Sequence, residues 1–332
     1  MITIPEPRPV TWVADRLRPV VFDVPKAIVR SRIAALGYRP VWRRIANDPD
    51  AVVHMGMNAS ALRPPAVPTV YECVDSTLSQ LGSRHFRRAA ARRCVVHCQT
   101  QRIQSALEKQ HAGNDPQWST VVSPSYFAHY EDAPAEQERD AGLIAFVGRL
   151  SPEKNPLLFI EALALARRQG ADCRAVMLGE GPLQADVEAL IARHDLSAHV
   201  SVSFVSRPFE ILRRSAIFAT LQAGDNYGSQ SLLEAMGAGC AVIASDVGET
   251  ARIVSDELGL RVPITVEAVA RAMVTLVGDP SATRAIGREA EQIARTKYSA
   301  DAYAAFLESL YESACQFHLQ AEPADGRRQV VG

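Results

Sequence analysis

The chain has 332 residues, 47% hydrophobic and 22% charged, with a formal net charge of −1. That length exceeds what one hydrophobic core usually organises, so two domains are expected, and the composition excludes a wholly disordered, fibrous or collagen-like chain. No apolar run approaches the ~20 residues of a membrane-spanning helix, and MITIPEPRPVTWVADRLRP at the N-terminus carries prolines and charges where a signal peptide needs an apolar stretch, so a cytoplasmic location is expected.

In the first half, PVTWVA, DAVVHM, PTVYECV and RCVVHC read as strands, with PKAIVRSRIAALG and HFRRAAARR as helices between them. They predict a smaller α/β domain over residues 1–132. Residues 1–93 hold 15 Lys/Arg against 7 Asp/Glu, a surplus of +8, while the remainder holds 21 against 30, a deficit of −9. Two readings of this basic third stand: a solvated arginine-rich surface, or a face for an anionic partner such as the inner membrane surface. Arg84, Arg87, Arg88 and Arg92 have roughly helical spacing and suit one helix face on such a membrane. No recognisable nucleic-acid-binding module accompanies the charge, so nucleic acid is not an expected partner. The six cysteines sit mostly inside apolar runs without a C-x-x-C pair. Cys94-x-x-x-Cys98 with His97 matches zinc spacing poorly, which predicts reduced core thiols and no metal.

The polar, acidic HYEDAPAEQERDAG (129–142) is the expected linker. Beyond it the rhythm is plainer. LIAFVG (143–148) is a buried strand. In SPEKNPLLFIEALALARRQG, Asn155 suits a helix cap, Pro156 its first turn and Gly170 its end. CRAVMLG, HVSVSFV, AIFATLQ and CAVIASD are further strands, with PLQADVEALIARHDL, PFEILRRS and SQSLLEAMGAG as helices. This alternation implies a parallel, doubly wound sheet covered on both faces, over residues 140–298. TKYSADAYAAFLESLYESACQF reads as a final amphipathic helix (299–318), and 320–332 as a disordered tail.

Ligands of such sheets bind outside the carboxyl ends of the strands, where helix N-termini present amides. Three strand-to-helix junctions therefore carry the candidate chemistry. The first, Gly148-Arg149-Leu150-Ser151-Pro152-Glu153-Lys154-Asn155, places a guanidinium and an ammonium between strand and helix, a pair suited to a pyrophosphate. It is not a Walker loop. The second, Gly179-Glu180-Gly181-Pro182, has glycines that let main chain approach a flat base closely. In the third, Gly228, Ser229, Gln230 and Ser231 offer amides and small side chains at a helix start, favourable for phosphate. Glu234, about one turn in, can accept hydrogen bonds from ribose hydroxyls, or simply favour the helix dipole.

GRLSPEKN, GEGP and NYGSQSLLEAMGAGCAVIASDVGET, in this order and spacing, resemble family 4 glycosyltransferases of the GT-B fold over roughly residues 140–315. The resemblance implies an α/β fold of two Rossmann-like doubly wound parallel-sheet domains facing a cleft, here with a shortened N-terminal, acceptor-side domain. The final helix resembles the family's closing helix, which crosses back to that domain. The resemblance implies metal-independent transfer of a sugar, with retention, from a nucleotide-sugar donor, UDP- or GDP-linked, with no cofactor; the basic first domain points to a glycan or lipid-linked acceptor in cell-surface polysaccharide synthesis. By motif position, Arg149 and Lys154 bind the donor diphosphate and Gly148, Gly179 and Gly181 border the nucleotide. The amides of Gly228 to Ser231 hold phosphate, and Glu234 holds the ribose.

The chain departs from the family pattern in several places. The usual Glu-x7-Glu becomes Asn226-x7-Glu234, with Asp225 adjacent, so an amide replaces the acid that contacts the sugar. The motif after CAVIASD keeps Gly248 but has Glu249 in place of a second glycine. The glycine-rich loop after the first strand is missing, and Arg16 and Arg18 stand there. Where many members carry a histidine, this chain has Glu72 and Asp75; Asp75 is the candidate acceptor contact. His54 ends a strand that could face the cleft, whereas His97 reads as core. Two alternatives accompany the transferase: a nucleotide-sugar epimerase on the same fold, and a GT-B-like partner without turnover.

Overall fold

The structure, a computed structural model, describes residues 45, 47, 51–56, 67–73, 94–110, 118–122, 139–224 and 229–319. The chain divides into two compact units, Met1–Pro124 with Ala304–Gly332, and Ser125–Tyr303.

The first unit contains a four-stranded parallel sheet, β1 (Val53–Gly56), β2 (Thr69–Cys73), β3 (Cys94–Cys98) and β4 (Trp118–Val122), in spatial order β1-β2-β3-β4. Its described central strands are apolar runs because a parallel sheet is covered on both faces. Helix α1 (Gln101–Gln110) crosses from β3 to β4. Thr100 caps it, its hydroxyl accepting from the amide of Ile103 at 3.2 Å, and Ile103 and Leu107 supply its buried face.

The second unit is built on six parallel strands: β5 (Asp140–Val147), β6 (Arg174–Leu178), β7 (Val200–Ser203), β8 (Ser215–Thr220), β9 (Ala241–Ser245) and β10 (Gly259–Val262). Their spatial order is β10-β9-β8-β5-β6-β7. The chain starts in the middle, moves out through β6 to β7, then returns to the other side of β5 and moves out again. Strand order therefore reverses between β5 and β8, the crevice where doubly wound sheets bind ligands. The crossovers are α2 (Pro156–Arg168), α3 (Gln184–Arg193), α4 (Phe209–Arg214), α5 (Gln230–Gly237) and the short α6 (Thr250–Ile253), followed by α7 (Val266–Gly278) and α8 (Pro280–Lys297). One core layer gathers Ile144, Phe159, Leu163 and Met177; the other gathers Phe218, Leu232, Met236 and Val242. The final helix α9 (Ala300–Leu319) passes from the second unit into the first at Ala304, and there Ala304, Leu307, Leu310 and Ala314 form its buried stripe.

Three local features differ from the sequence reading. Strand β5 begins at Asp140, inside the stretch assigned to the linker, because Asp140 pairs with Arg174 at 2.6 Å and accepts from the amide of Gly142. Asn155 does precede α2, but in the left-handed conformation (φ 53°) and without a side-chain cap. Elements α1, β4, β10, α6, α7 and α8 lie in stretches to which no element was assigned. The six cysteines are free, five of them buried. Among the described residues no helix is long and apolar enough to cross a membrane.

Candidate functional site

The three junctions follow β6, β5 and β8, which are adjacent in the sheet. All three therefore open at the same edge of the second unit, around the reversal point.

The first two junctions are packed main chain against main chain. The amide of Leu150 donates to the Glu180 carbonyl at 2.9 Å, and that of Leu183 to the Leu150 carbonyl at 3.0 Å. A Cβ on Gly179 would overlap the Gly148 carbonyl, and one on Gly181 would overlap the backbone of Leu150. These glycines are thus required by the fold itself, whatever else approaches them.

The first and third junctions are joined by three hydrogen bonds. Lys154 ends the 3-10 turn Pro152–Lys154, and its Nζ donates to Gln222 Oε1 at 2.5 Å. Asn155 Nδ2 donates to the Leu221 carbonyl at 2.7 Å, and the amide of Ala223 to the Glu153 carbonyl at 2.7 Å. The hydroxyl of Ser245, at the end of β9, donates to the Gln222 carbonyl at 2.7 Å, tying in the next strand. The left-handed turn at Asn155 turns its side chain to this link instead of to a helix cap. Lys154 is half-buried, and desolvation lowers its pKa, partly offset by the nearby Glu153. The Glu153 carboxyl is bonded by the Ser151 hydroxyl at 2.5 Å, which together with its own backbone amide, Arg149 and Lys154 holds its pKa below the usual range. Arg149 itself is exposed.

Ser229 stands at the N-cap of α5 with extended backbone (φ −60°, ψ 124°) and makes no side-chain cap. Its hydroxyl instead meets that of Ser231 at 2.9 Å, and its carbonyl takes the amides of Leu232 and Leu233. The amides of Gln230 and Ser231 precede the first bonded turn, the position from which helix N-termini address anions. Glu234 is half-buried one turn on, and burial raises its pKa; donors such as ribose hydroxyls would restore the charged form. The other end of α5 is clamped. The Arg139 guanidinium donates to the carbonyls of Ala238 and Ser215, and Gly239 beside it takes the left-handed conformation (φ 82°), where a Cβ would be strained and would meet that guanidinium. A Cβ on Gly287 of α8 would in turn strike the Gly239 carbonyl.

This arrangement offers an ammonium, an exposed guanidinium and helix-start amides near one reversal point, with a carboxylate one turn behind. It suits a diphosphate joined to a hydroxylated ring. Residues 131–293 match the family described as Glycosyl transferases group 1. That segment is a group 1 glycosyltransferase domain.

This group 1 domain has similar relatives. The α-D-kanosaminyltransferase of Streptomyces kanamyceticus is 26% identical over 260 residues, covering 73% of this chain and 66% of its own length. The D-inositol 3-phosphate glycosyltransferase of Corynebacterium glutamicum is 31% identical over 227 residues, covering 61% and 54%. The matched stretch thus falls short of two thirds of either relative. Among solved structures, a glycosyltransferase from Rickettsia africae has a TM-score of 0.70 at 13% identity, covering 93% of this chain and 88% of the other. Anabaena HepE in complex with UDP has a TM-score of 0.64 at 18% identity, covering 82% of each. The fold is GT-B, with two Rossmann-like parallel sheets.

Of the residues proposed from sequence, Gly148, Arg149, Lys154, Gly179, Gly181, Ser229, Gln230, Ser231 and Glu234 fall at the reversal-point edge of the group 1 domain. Asp75, Asn226 and Gly228, with Asp225 and the Arg84–Arg92 stripe, lie outside the described residues. Gln222, at the start of the third junction, and Ser245, in CAVIASD, carry no role in the sequence reading; the signal available for each was a polar residue closing an apolar run.

Proposed function

We propose that the chain is a retaining, metal-independent glycosyltransferase of family 4, moving a hexose from a UDP- or GDP-linked donor to a glycan or lipid-linked acceptor in cell-surface polysaccharide synthesis. The observation that carries this reading is the bond from Lys154 to Gln222, which fastens the cation-bearing junction to the one that opens α5. As the bond from sugar C1 to the diphosphate breaks, charge develops on the diphosphate oxygens. Lys154, Arg149 and the amides of Ser229 to Ser231 stabilise that charge without a metal. Glu234 accepts from the ribose, and Gly148, Gly179 and Gly181 border the base. The unit Met1–Pro124 supplies the acceptor side, with Asp75 as its contact, Asn226 meets the sugar, and the basic region meets an anionic membrane surface on the cytoplasmic side. The name of the inositol-phosphate relative supports a cyclitol-containing acceptor, that of the kanosaminyl relative supports transfer of a sugar, and the neighbour bound to UDP supports a nucleoside diphosphate leaving group.

The test is a thermal-shift and titration series with UDP, GDP and their sugars, because a ligand that binds only the folded state raises apparent stability. One diphosphate is expected to stabilise the wild type and to do so far less after Lys154→Ala. Equal stabilisation of both proteins refutes the phosphate contact, and release of an epimer without acceptor refutes the transferase.

A further inference from the structure

We propose that Gln222 is a positioning residue for Lys154: a neutral acceptor that fixes the ammonium at the end of β8 without cancelling its charge. This rests on the reading of Lys154 as a diphosphate ligand and adds the group that determines how well it performs.

A lysine side chain has four flexible methylenes, and ordering it on a ligand costs conformational entropy. Here that ordering is built into the fold. The main chain at Gln222 is held at its own carbonyl by Ser245, at the preceding carbonyl by Asn155 and at the following amide by its bond to Glu153. The side chain of Gln222 therefore projects from a fixed point, and its Oε1 takes Lys154 Nζ at 2.5 Å. An ammonium has three N–H donors. One is spent on Gln222, and two are left for an anion without breaking that bond.

The chemistry of the acceptor matters as much as its position. A carboxylate here would hold the ammonium as firmly, but it would neutralise it and repel an incoming diphosphate. The chain avoids this at the contact itself: residue 222 is an amide, and the nearest carboxyl in sequence, that of Glu153, bonds the Ser151 hydroxyl instead of the ammonium and acts on Lys154 only through space. Among the described residues Lys154 has no ion-pair partner within 4.0 Å.

The test titrates UDP and GDP into the full chain carrying Gln222→Met, Gln222→Glu and Lys154→Ala, alone and combined. For the diphosphate that wild type binds, Gln222→Met is expected to weaken affinity about three- to tenfold, through lost orientation. Gln222→Glu weakens it more at neutral pH, by about tenfold or more, and the deficit relative to wild type shrinks as the pH falls into the carboxyl range. In the Lys154→Ala background Gln222→Met loses its effect and Gln222→Glu keeps only its direct repulsion of the diphosphate, a smaller deficit than in the wild-type background, which a merely structural role would not produce. Gln222→Asn keeps the amide one methylene short and serves where Gln222→Met unfolds, with the same expected direction. Affinity within about twofold of wild type for both Gln222→Met and Gln222→Glu overturns the proposal while leaving the Lys154 assignment standing, as does an undiminished effect in the Lys154→Ala background. Tighter binding by Gln222→Glu than by Gln222→Met at neutral pH overturns the argument for a neutral acceptor. A wild type that binds neither diphosphate removes the underlying reading and this inference together.

Discussion

The two sheets of this protein share a parallel architecture and place their polar groups in opposite ways. In the second unit β7, β8 and β9 carry no ionisable residue, β5 and β6 carry theirs, Asp140 and Arg174, at their starting ends, and the candidate site groups lie beyond the carboxyl ends, in Gly148–Asn155, at Gln222 and in Ser229–Glu234. In the first unit the ionisable residues lie on the sheet itself. Strand register aligns His54 with Val70 and Glu72 with His97, so the two histidines and the glutamate share one face. That face meets α9: His54 Nδ1 is 3.0 Å from the Tyr311 hydroxyl, and the His97 ring lies 5.5 Å from that of His54 and 5.4 Å from Phe306. His97 is fully buried, and neither of its ring nitrogens has a hydrogen-bond partner among the described residues. Charge kept at strand ends is available to a ligand; charge laid across a strand face is paid for in stability.

The largest expected effect comes from acid. Burial, with a smaller contribution from His54, lowers the His97 pKa from 6.5 to about 4. The unfolded chain takes up this proton as the pH falls below 6.5, whereas the folded chain resists until about 4. Stability present above 6.5 is therefore lost progressively across that window, by about 3 kcal/mol in all. Protection factors for hydrogen exchange at β3, taken relative to the intrinsic rate at each pH, should fall on acidification before those at β8 do, and His97→Phe should flatten the dependence. Simultaneous loosening of both sheets would remove the contrast.

Lys154→Ala tests the other side. It should weaken binding of the nucleoside diphosphate by about a hundredfold, the scale of losing a charged contact, and leave exchange at β3 unchanged. Glu234→Ala should cost about tenfold in affinity for the nucleoside diphosphate while leaving competition by inorganic pyrophosphate unaltered, because its proposed partner is the ribose. An equal loss for both ligands would reassign Glu234 to the support of α5. The smallest effect is expected from Tyr311→Phe, which removes one hydrogen bond from His54 and should lower the stability of the first unit by about 1 kcal/mol without changing nucleotide affinity.

The same contrast explains what the sequence made legible. Strands such as CAVIASD and RCVVHC announce themselves because both faces are buried, and the helix after Pro156 because its start is punctuated. The polar first turn of β5 was hidden, since Asp140 becomes a strand residue only through Arg174, 34 positions away. Strand β4, WSTVV, and helix α1, QRIQSALEKQ, lack a long apolar run and pass as loop. The junction residues were visible as residue types at strand ends, but their joining was not. Lys154 and Gln222 are 68 positions apart, and Asn155 looked like a local cap because nothing in its neighbourhood reveals Leu221 as its partner. The glycines of GEGP invited a ligand-based explanation, whereas the space they leave is filled by backbone from the preceding junction.

The seam of Gly239, Arg139 and Gly287 behind α5 limits how this protein can be re-engineered. A Cβ at Gly239 would meet the Arg139 guanidinium and one at Gly287 the Gly239 carbonyl, so substitutions at this seam are expected to lower stability, whereas exchanges at the leading end of α5 lie a helix length away from it.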